Sequence, residues 1–133
     1  MFFYNSDSQE ADIEWLSDPS STSNTIANNG TRAMQYTNQA LDGNPEDATS
    51  LFGAAPSDAT SNVHVYRLDW TADYTQYYID GVLQQTMTTN VPTASGPWVW
   101  NNWVDGDPNW TVGPPVTDAV FKIQKIVMEY DPA

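Results

Sequence analysis

Glu10, Asp12 and Glu14 occupy alternate positions in the run Gln9-Glu10-Ala11-Asp12-Ile13-Glu14-Trp15-Leu16. Successive side chains of a β-strand point to opposite faces, so this spacing sets the acids on one face and Ala11, Ile13 and Trp15 on the other. On a helix the same acids would fan around the axis. Carboxylates aligned in this way repel one another, which implies that a cation or a reaction uses them. Two chemistries suit the pattern. A solvated or calcium-ligating face would employ the acids as hard oxygen donors. Glycoside hydrolysis with retention of configuration would employ one as nucleophile and another as proton donor, about 5–5.5 Å apart. In the second case the middle acid, Asp12, shares a proton with a neighbour, and its charge raises the pKa of the donor. The spacing opposes that geometry, because strand residues four apart are about 13 Å apart at Cα. Side-chain lean and strand twist must close the gap. The residues alone leave both chemistries open.

The elements that must hold such a face read as strands. Turn residues are frequent, helical periodicity is nearly absent, and the patterned stretches are short and rich in Val, Ile, Thr, Tyr and Trp. Residues 63–70, 74–79 and 82–87 form the clearest unit, with Asp80-Gly81 as the hairpin turn between the last two. Residues 9–16 and 32–38 are further strands, separated by a Ser/Thr/Asn-rich loop over 17–30. Residues 42–61 read as a long polar connection, of the kind that is commonly functional or mobile. Residues 97–103 form an aromatic strand, 105–118 a Gly/Pro-rich loop, and 119–130 a last strand. No repeat or linker divides the chain. The expectation is one all-β domain over residues 1–133, an antiparallel β-sandwich.

Composition narrows the partners. The chain has 133 residues with 17 acidic and 4 basic side chains, a formal charge of −13, and such a surface repels nucleic acids and anionic membranes. Aromatic residues make up 13 % against 16 % charged, a balance that excludes a disordered acidic tail and leaves a polar but mostly uncharged surface suited to sugars. Cysteine is absent, which excludes disulfides, thiolate nucleophiles and Cys-ligated zinc. No run approaches the roughly 18 apolar residues of a membrane helix. Met1-Phe2-Phe3-Tyr4 lacks the pattern of a signal peptide.

The run Glu10-Ala11-Asp12-Ile13-Glu14 resembles the Glu-x-Asp-x-Glu signature of glycoside hydrolase family 16, the group of lichenases, laminarinases and xyloglucan or chitin-glucan transglycosylases. Phe2-Phe3-Tyr4 is similar to the family's aromatic strand, and Tyr36-Thr37-Asn38 to its Tyr-Thr-Asn. His64 to Trp70 and Tyr78-Ile79-Asp80-Gly81-Val82 resemble its His-x-Tyr-x-x-Asp-Trp and Tyr-x-Asp-Gly meander. Asn101-Asn102-Trp103 and the later Trp110 resemble its Asn-x-Trp and downstream Trp. These motifs keep the family's order over nearly the whole chain.

The resemblance implies a jelly-roll, concanavalin A-like sandwich that lacks the family's N-terminal strands. It makes Glu10 the nucleophile, Asp12 the assisting carboxylate and Glu14 the general acid and base. It places Trp103 and Trp110 as sugar platforms and Asn101, Asn38 and Tyr36 as further substrate-binding residues. The implied substrate is β-glucan with β-1,3-1,4 or β-1,3 linkages, handled outside the cell or in a cell wall, without cofactor and without the family's structural calcium. The absence of an inserted residue between Asp12 and Glu14 resembles the lichenase and transglycosylase branches more than the laminarinase branch. A second copy or another chain supplying the missing strands is the implied protein partner. Two alternatives stand beside hydrolysis: glucan transglycosylation with the same carboxylates, and a lectin-like binding or self-assembling fragment without catalysis.

The remaining candidates read as structure. Trp98 and Trp100 alternate on the aromatic strand as core residues, and His64, the only histidine, lacks a nucleophile elbow and reads as a hydrogen-bonded strand residue. Residues 105–109 lack the Gly and Glu of a calcium loop. Asn29-Gly30-Thr31 and Asn109-Trp110-Thr111 are glycosylation sequons, the second beside the expected cleft and so not expected to be used.

Overall fold

The alternation in residues 9–16 is realised as a strand, Gln9–Leu16, and the rest of the fold is arranged around it in a computed structural model that describes residues 1–28 and 33–131. In chain order the strands are β1 (Phe2–Ser6), β2 (Gln9–Leu16), β3 (Ala33–Asn38), β4 (Thr49–Ala54), β5 (Tyr66–Trp70), β6 (Thr75–Ile79), β7 (Val82–Met87) and β8 (Trp98–Val99). A short helix, α1 (Thr22–Asn28), precedes β3. The strands form two antiparallel sheets, one of five strands in the order β4-β3-β2-β1-β8 and one of three in the order β5-β6-β7. The expected all-β sandwich is therefore observed.

The apolar face of the larger sheet carries the core. Ile13, Met34 and Tyr36 from that sheet pack on Tyr77, Ile79 and Met87 from the smaller one, all of them buried. The Tyr36 and Tyr77 rings lie 5.2 Å apart in a tilted pair, within the range where aromatic contacts add to burial. The Tyr36 ring lies so close to Gly53 that a Cβ there would sit 3.2 Å from its Cε2. The smaller sheet is closed by the expected Asp80-Gly81 turn, whose φ angles of 50° and 80° match a type I′ hairpin.

One polar cluster joins the sheets. Buried Asn38 accepts through Oδ1 from Tyr77 OH at 2.7 Å and from Thr75 Oγ1 at 3.0 Å, and donates through Nδ2 to the Thr89 carbonyl at 3.0 Å. Each of these groups is satisfied inside the sandwich, as burial requires.

Several sequence expectations are corrected. The loop expected over 17–30 contains α1, capped where the Ser21 Oγ accepts from Asn24 N at 3.1 Å; short length and a Ser/Asn-rich composition hid it. The polar connection over 42–61 contains β4, which pairs with β3 along its whole length. Its Thr-Ser-Leu-Phe-Gly-Ala sequence has little apolar signal because it forms a sheet edge with one outward face. The aromatic strand expected over 97–103 is reduced to Trp98–Val99. The last strand expected over 119–130 is absent: no strand follows Val99 among the described residues. A strand needs a neighbour for its backbone groups, and here Val120 and Tyr130 are 73 % and 82 % exposed, with no sheet beneath them. The Asn29 sequon lies outside the described residues.

Removing the inter-sheet polar link tests this packing. Asn38→Ala leaves the Tyr77 hydroxyl and the Thr89 carbonyl short of partners, so urea unfolding is expected to show a loss of about 2–4 kcal/mol. A change below about 0.5 kcal/mol, the range of an ordinary surface substitution, would contradict that role.

Candidate functional site

The polar face of the larger sheet is built by register. Asp12 lies between Phe2 on β1 and Thr37 on β3, Glu10 lies opposite Tyr4, and Glu14 lies opposite Gln35. Thr37 in turn faces Ser50 and Gln35 faces Phe52 on β4. Residues paired across a ladder share a face, so Tyr4, Phe2, Gln35, Thr37, Ser50 and Phe52 surround the carboxyls on one surface. The alternation inferred for β2 holds, since Ala11 and Ile13 are buried on the other side.

The carboxyls sit in unequal environments. Asp12 is only 4 % exposed, whereas Glu10 and Glu14 are half-buried. Burial, reinforced by the charges of Glu10 and Glu14, pushes the Asp12 carboxyl up to about 9, so it carries a proton at neutral pH. That proton is shared in a side-chain hydrogen bond with Glu10, which pulls Glu10 down against a rise caused mainly by burial. Glu14 is also raised, mainly by burial, and its rise is moderated by the chain's N-terminal ammonium and by a hydrogen bond with Trp110. The ammonium donates to the Ile13 carbonyl at 2.8 Å. One strand face thus holds a proton-sharing pair and a separate acid that keeps its proton above the usual carboxylate range.

Two segments flank this face. Gln39, just past β3, donates from its backbone N to the Glu10 carbonyl at 3.1 Å and from Nε2 to Asp12 Oδ2 at 3.2 Å. With Asp7, Glu10, Ala40, Gly43 and Pro45 it lines an open cleft of about 380 Å³. On the other side, Trp110 lies in a loop held against α1. The N–H groups of Thr22 and Ser23 donate to the carbonyls of Pro108 and Asn109 at 3.2 and 3.1 Å, and Thr22 Oγ1 donates to Asn109 Oδ1 at 3.0 Å. The loop is braced internally by Asp105 with Thr111 and by Asp107 Oδ1, which accepts from Asn109 N at 2.8 Å.

The residues singled out from the sequence separate into groups. Glu10, Asp12 and Glu14 are brought together, with Trp110 against Glu14. Asn101 and Trp103 follow β8 and are exposed, Trp103 by 49 %, where the chain leaves the sheet at Val99, two strands from Asp12. Tyr36 and Asn38 are corrected. They pair with Ile13 and Ala11, which puts them on the opposite face from the carboxyls, fully buried between the sheets. They do not line the cleft. The sequence reading passed over Gln35, Thr37 and Gln39, although strand pairing with the acids at matching parity could have found the first two. His64 holds Asp80 Oδ2 through Nδ1 at 2.7 Å and faces Asp58 Oδ1 from Nε2 at 3.2 Å, so its raised pKa serves a clasp on the smaller sheet. Among the described residues no group of His, Asp and Glu side chains is arranged to hold a metal ion. What the arrangement supplies is proton transfer beside an anionic oxygen.

Comparison with known proteins points the same way. The family model described as Glycosyl hydrolases family 16 matches residues 1–110. A β-glucanase of Paenibacillus polymyxa is 44 % identical over 46 residues, 35 % of this chain and 19 % of that protein. A β-glucanase of Bacillus amyloliquefaciens is 38 % identical over 68 residues, 51 % of this chain and 26 % of that protein. A β-1,3-glucan-binding protein of Penaeus monodon is 31 % identical over 88 residues, 58 % of this chain and 24 % of that protein. The chain covers about a quarter or less of each relative's length.

The raised Asp12 carboxyl has a consequence for stability. A carboxyl held higher in the folded than in the unfolded chain favours folding while protonated, and that advantage fades as pH rises from about 4, the unfolded value, towards about 9. Asp12→Asn keeps a neutral donor at the position, so it should raise the melting temperature at pH 8 by at least about 5 °C, and change it little at pH 4. Thermal unfolding at both pH values checks this; equal shifts at the two would contradict it.

Proposed function

The chain belongs to glycosyl hydrolase family 16, and on that premise we propose that it cleaves internal bonds of β-glucan with retention, through a covalent glycosyl intermediate on Glu10. The supporting observation is the division of labour on β2: a Glu10–Asp12 pair joined by a hydrogen bond, beside a separate Glu14 whose carboxyl is held above its ordinary value mainly by burial. In the first step a Glu10 carboxylate oxygen forms a bond to the anomeric carbon as the glycosidic C–O bond breaks, and Glu14 gives its proton to the departing oxygen. In the second step Glu14 takes a proton from water, the water oxygen bonds to the anomeric carbon, and Glu10 is released as carboxylate. Asp12, protonated and bonded to Glu10, keeps that nucleophile anionic without adding a charge of its own to the face.

Trp110 beside Glu14 and the exposed Trp103 are proposed as platforms for the sugar rings, with Asn101 at the rim. The acceptor, water or another sugar, uses the same carboxyls. The substrate places the action outside the cell, on cell-wall or extracellular glucan. A second copy or another chain is proposed to cover the exposed apolar side chains of Val120, Ile123, Val127 and Tyr130, whose unpaired backbone suits strand addition.

A second reading is favoured by one observation, the likeness to a β-1,3-glucan-binding protein: glucan binding without cleavage. Reducing-sugar release from barley mixed-linkage glucan and from laminarin separates the two. The wild-type chain should release reducing ends, while Glu10→Gln and Glu14→Gln should fall at least about 10³-fold, the order expected when an essential group is lost. Binding to either glucan with no release by the wild type would support the second reading.

A further inference from the structure

We infer that Gln39 is a positioning residue for the carboxyl pair: its side-chain amide occupies Asp12 Oδ2, which leaves the Asp12 proton on the other oxygen and directs it at Glu10. The inference rests on the catalytic reading of Glu10 and deepens it.

A protonated carboxyl has one donor and two oxygens on which to carry it. An N–H group held against one oxygen makes protonation of that oxygen unfavourable, because two donors would then meet. Gln39 Nε2 lies 3.2 Å from Asp12 Oδ2. With Oδ2 so occupied the proton is assigned to Oδ1, and Glu10 shares a side-chain hydrogen bond with the Asp12 carboxyl. Without the amide, the proton is free to exchange between oxygens, and Glu10 loses its donor for part of the time.

The position of Gln39 is fixed by the backbone. Its N–H donates to the Glu10 carbonyl at 3.1 Å, which docks this residue alongside the nucleophile it serves. The following residue, Ala40, is buried, and its carbonyl accepts from Gly43 N at 3.0 Å, so the turn that leads away from Gln39 is closed. Gln39 also lines the cleft that runs past Glu10. It stands between the cleft and the pair, where an amide can hold Asp12 without adding charge to a crowded acidic face. A lysine would neutralise the pair, and a carboxylate would repel it.

The test uses the full chain carrying Gln39→Met, close in volume but without a donor, and Gln39→Glu, which offers an acceptor when ionised. Carbon-detected NMR of the side-chain carboxyls follows the titration of Glu10, Asp12 and Glu14 without reference to activity. Expected in Gln39→Met is a rise of the Glu10 midpoint by about half to one pH unit, with Glu14 unmoved. In the same variant the acid limb of the kcat/KM profile should rise by the same amount and the basic limb should stay. A uniform fall in kcat/KM with an unmoved Glu10 midpoint would assign Gln39 a merely structural role and overturn the inference. If Gln39→Met does not fold, Gln39→Glu serves alone: it should raise the Glu10 midpoint too, and an unchanged midpoint overturns the inference. A shifted midpoint in a wild-type background that hydrolyses no glucan would uphold the positioning and remove the catalytic reading. Hydrolysis without a shift would do the reverse.

Discussion

Like-charge crowding on the polar face of β2 is the constraint around which this sandwich is organised. The acids alternate along an interior strand, with β1 on one side and β3 on the other, so they cannot spread apart as they could at an edge. Burial makes the crowding worse by withdrawing water from the charged forms. The chain resolves the conflict by protonation. Asp12, the most enclosed of the set, holds a proton well past neutrality and turns repulsion with Glu10 into a hydrogen bond. Glu14 is left as a separate, raised acid that hydrogen-bonds Trp110. Asymmetry among identical functional groups is what a two-role carboxylate reaction needs, and here it arises from depth and register.

The opposite face of the same strand explains why the arrangement holds its shape. Ile13 enters a core shared with Tyr77, Ile79 and Met87 of the smaller sheet, so each acid is backed by a neighbour whose burial fixes the strand. A one-residue slip of β2 would move carboxyls into that core and Ile13 out of it. The register is therefore set by the hydrophobic pattern, and the polar face inherits its order from the apolar one. Asn38 adds a polar lock between the sheets at the end of β3, next to the point where Gln39 turns out over the polar face.

Where alternation was strict, structure was legible in the sequence. Residues 9–16 form β2 over their full length, and the Asp80-Gly81 pair fixed the β6–β7 hairpin through its need for positive φ. Where stability comes from a neighbour, local pattern misled. β4 is an edge strand whose pairing to β3, not its composition, makes it a strand. Residues 119–130 have the composition of a strand but no sheet edge beside them, so they form no strand and stay exposed. Helix α1 is held by the Ser21 cap and by Asn24, whose side chain donates to the carbonyls of Leu16 and Asp18, contacts that only the folded chain brings together.

The site divides along the same line. The carboxyl triplet is a period-two signal within one strand, and it was readable. Tyr36 and Asn38 lie on the neighbouring strand, where a motif gives residue types but not parity, and register puts them on the core side. Gln39 escaped notice because its role depends on a turn that brings a neutral amide back over Asp12. The claim underlying all of this is that Asp12 is a neutral acid at physiological pH. Infrared difference spectroscopy of the wild-type chain against Asp12→Asn, at pH 7 in isotopically labelled form, observes the carbonyl stretch of a protonated carboxyl directly. The account predicts that the difference spectrum shows a protonated-carboxyl band lost on substitution of Asp12; a difference confined to carboxylate bands would contradict it.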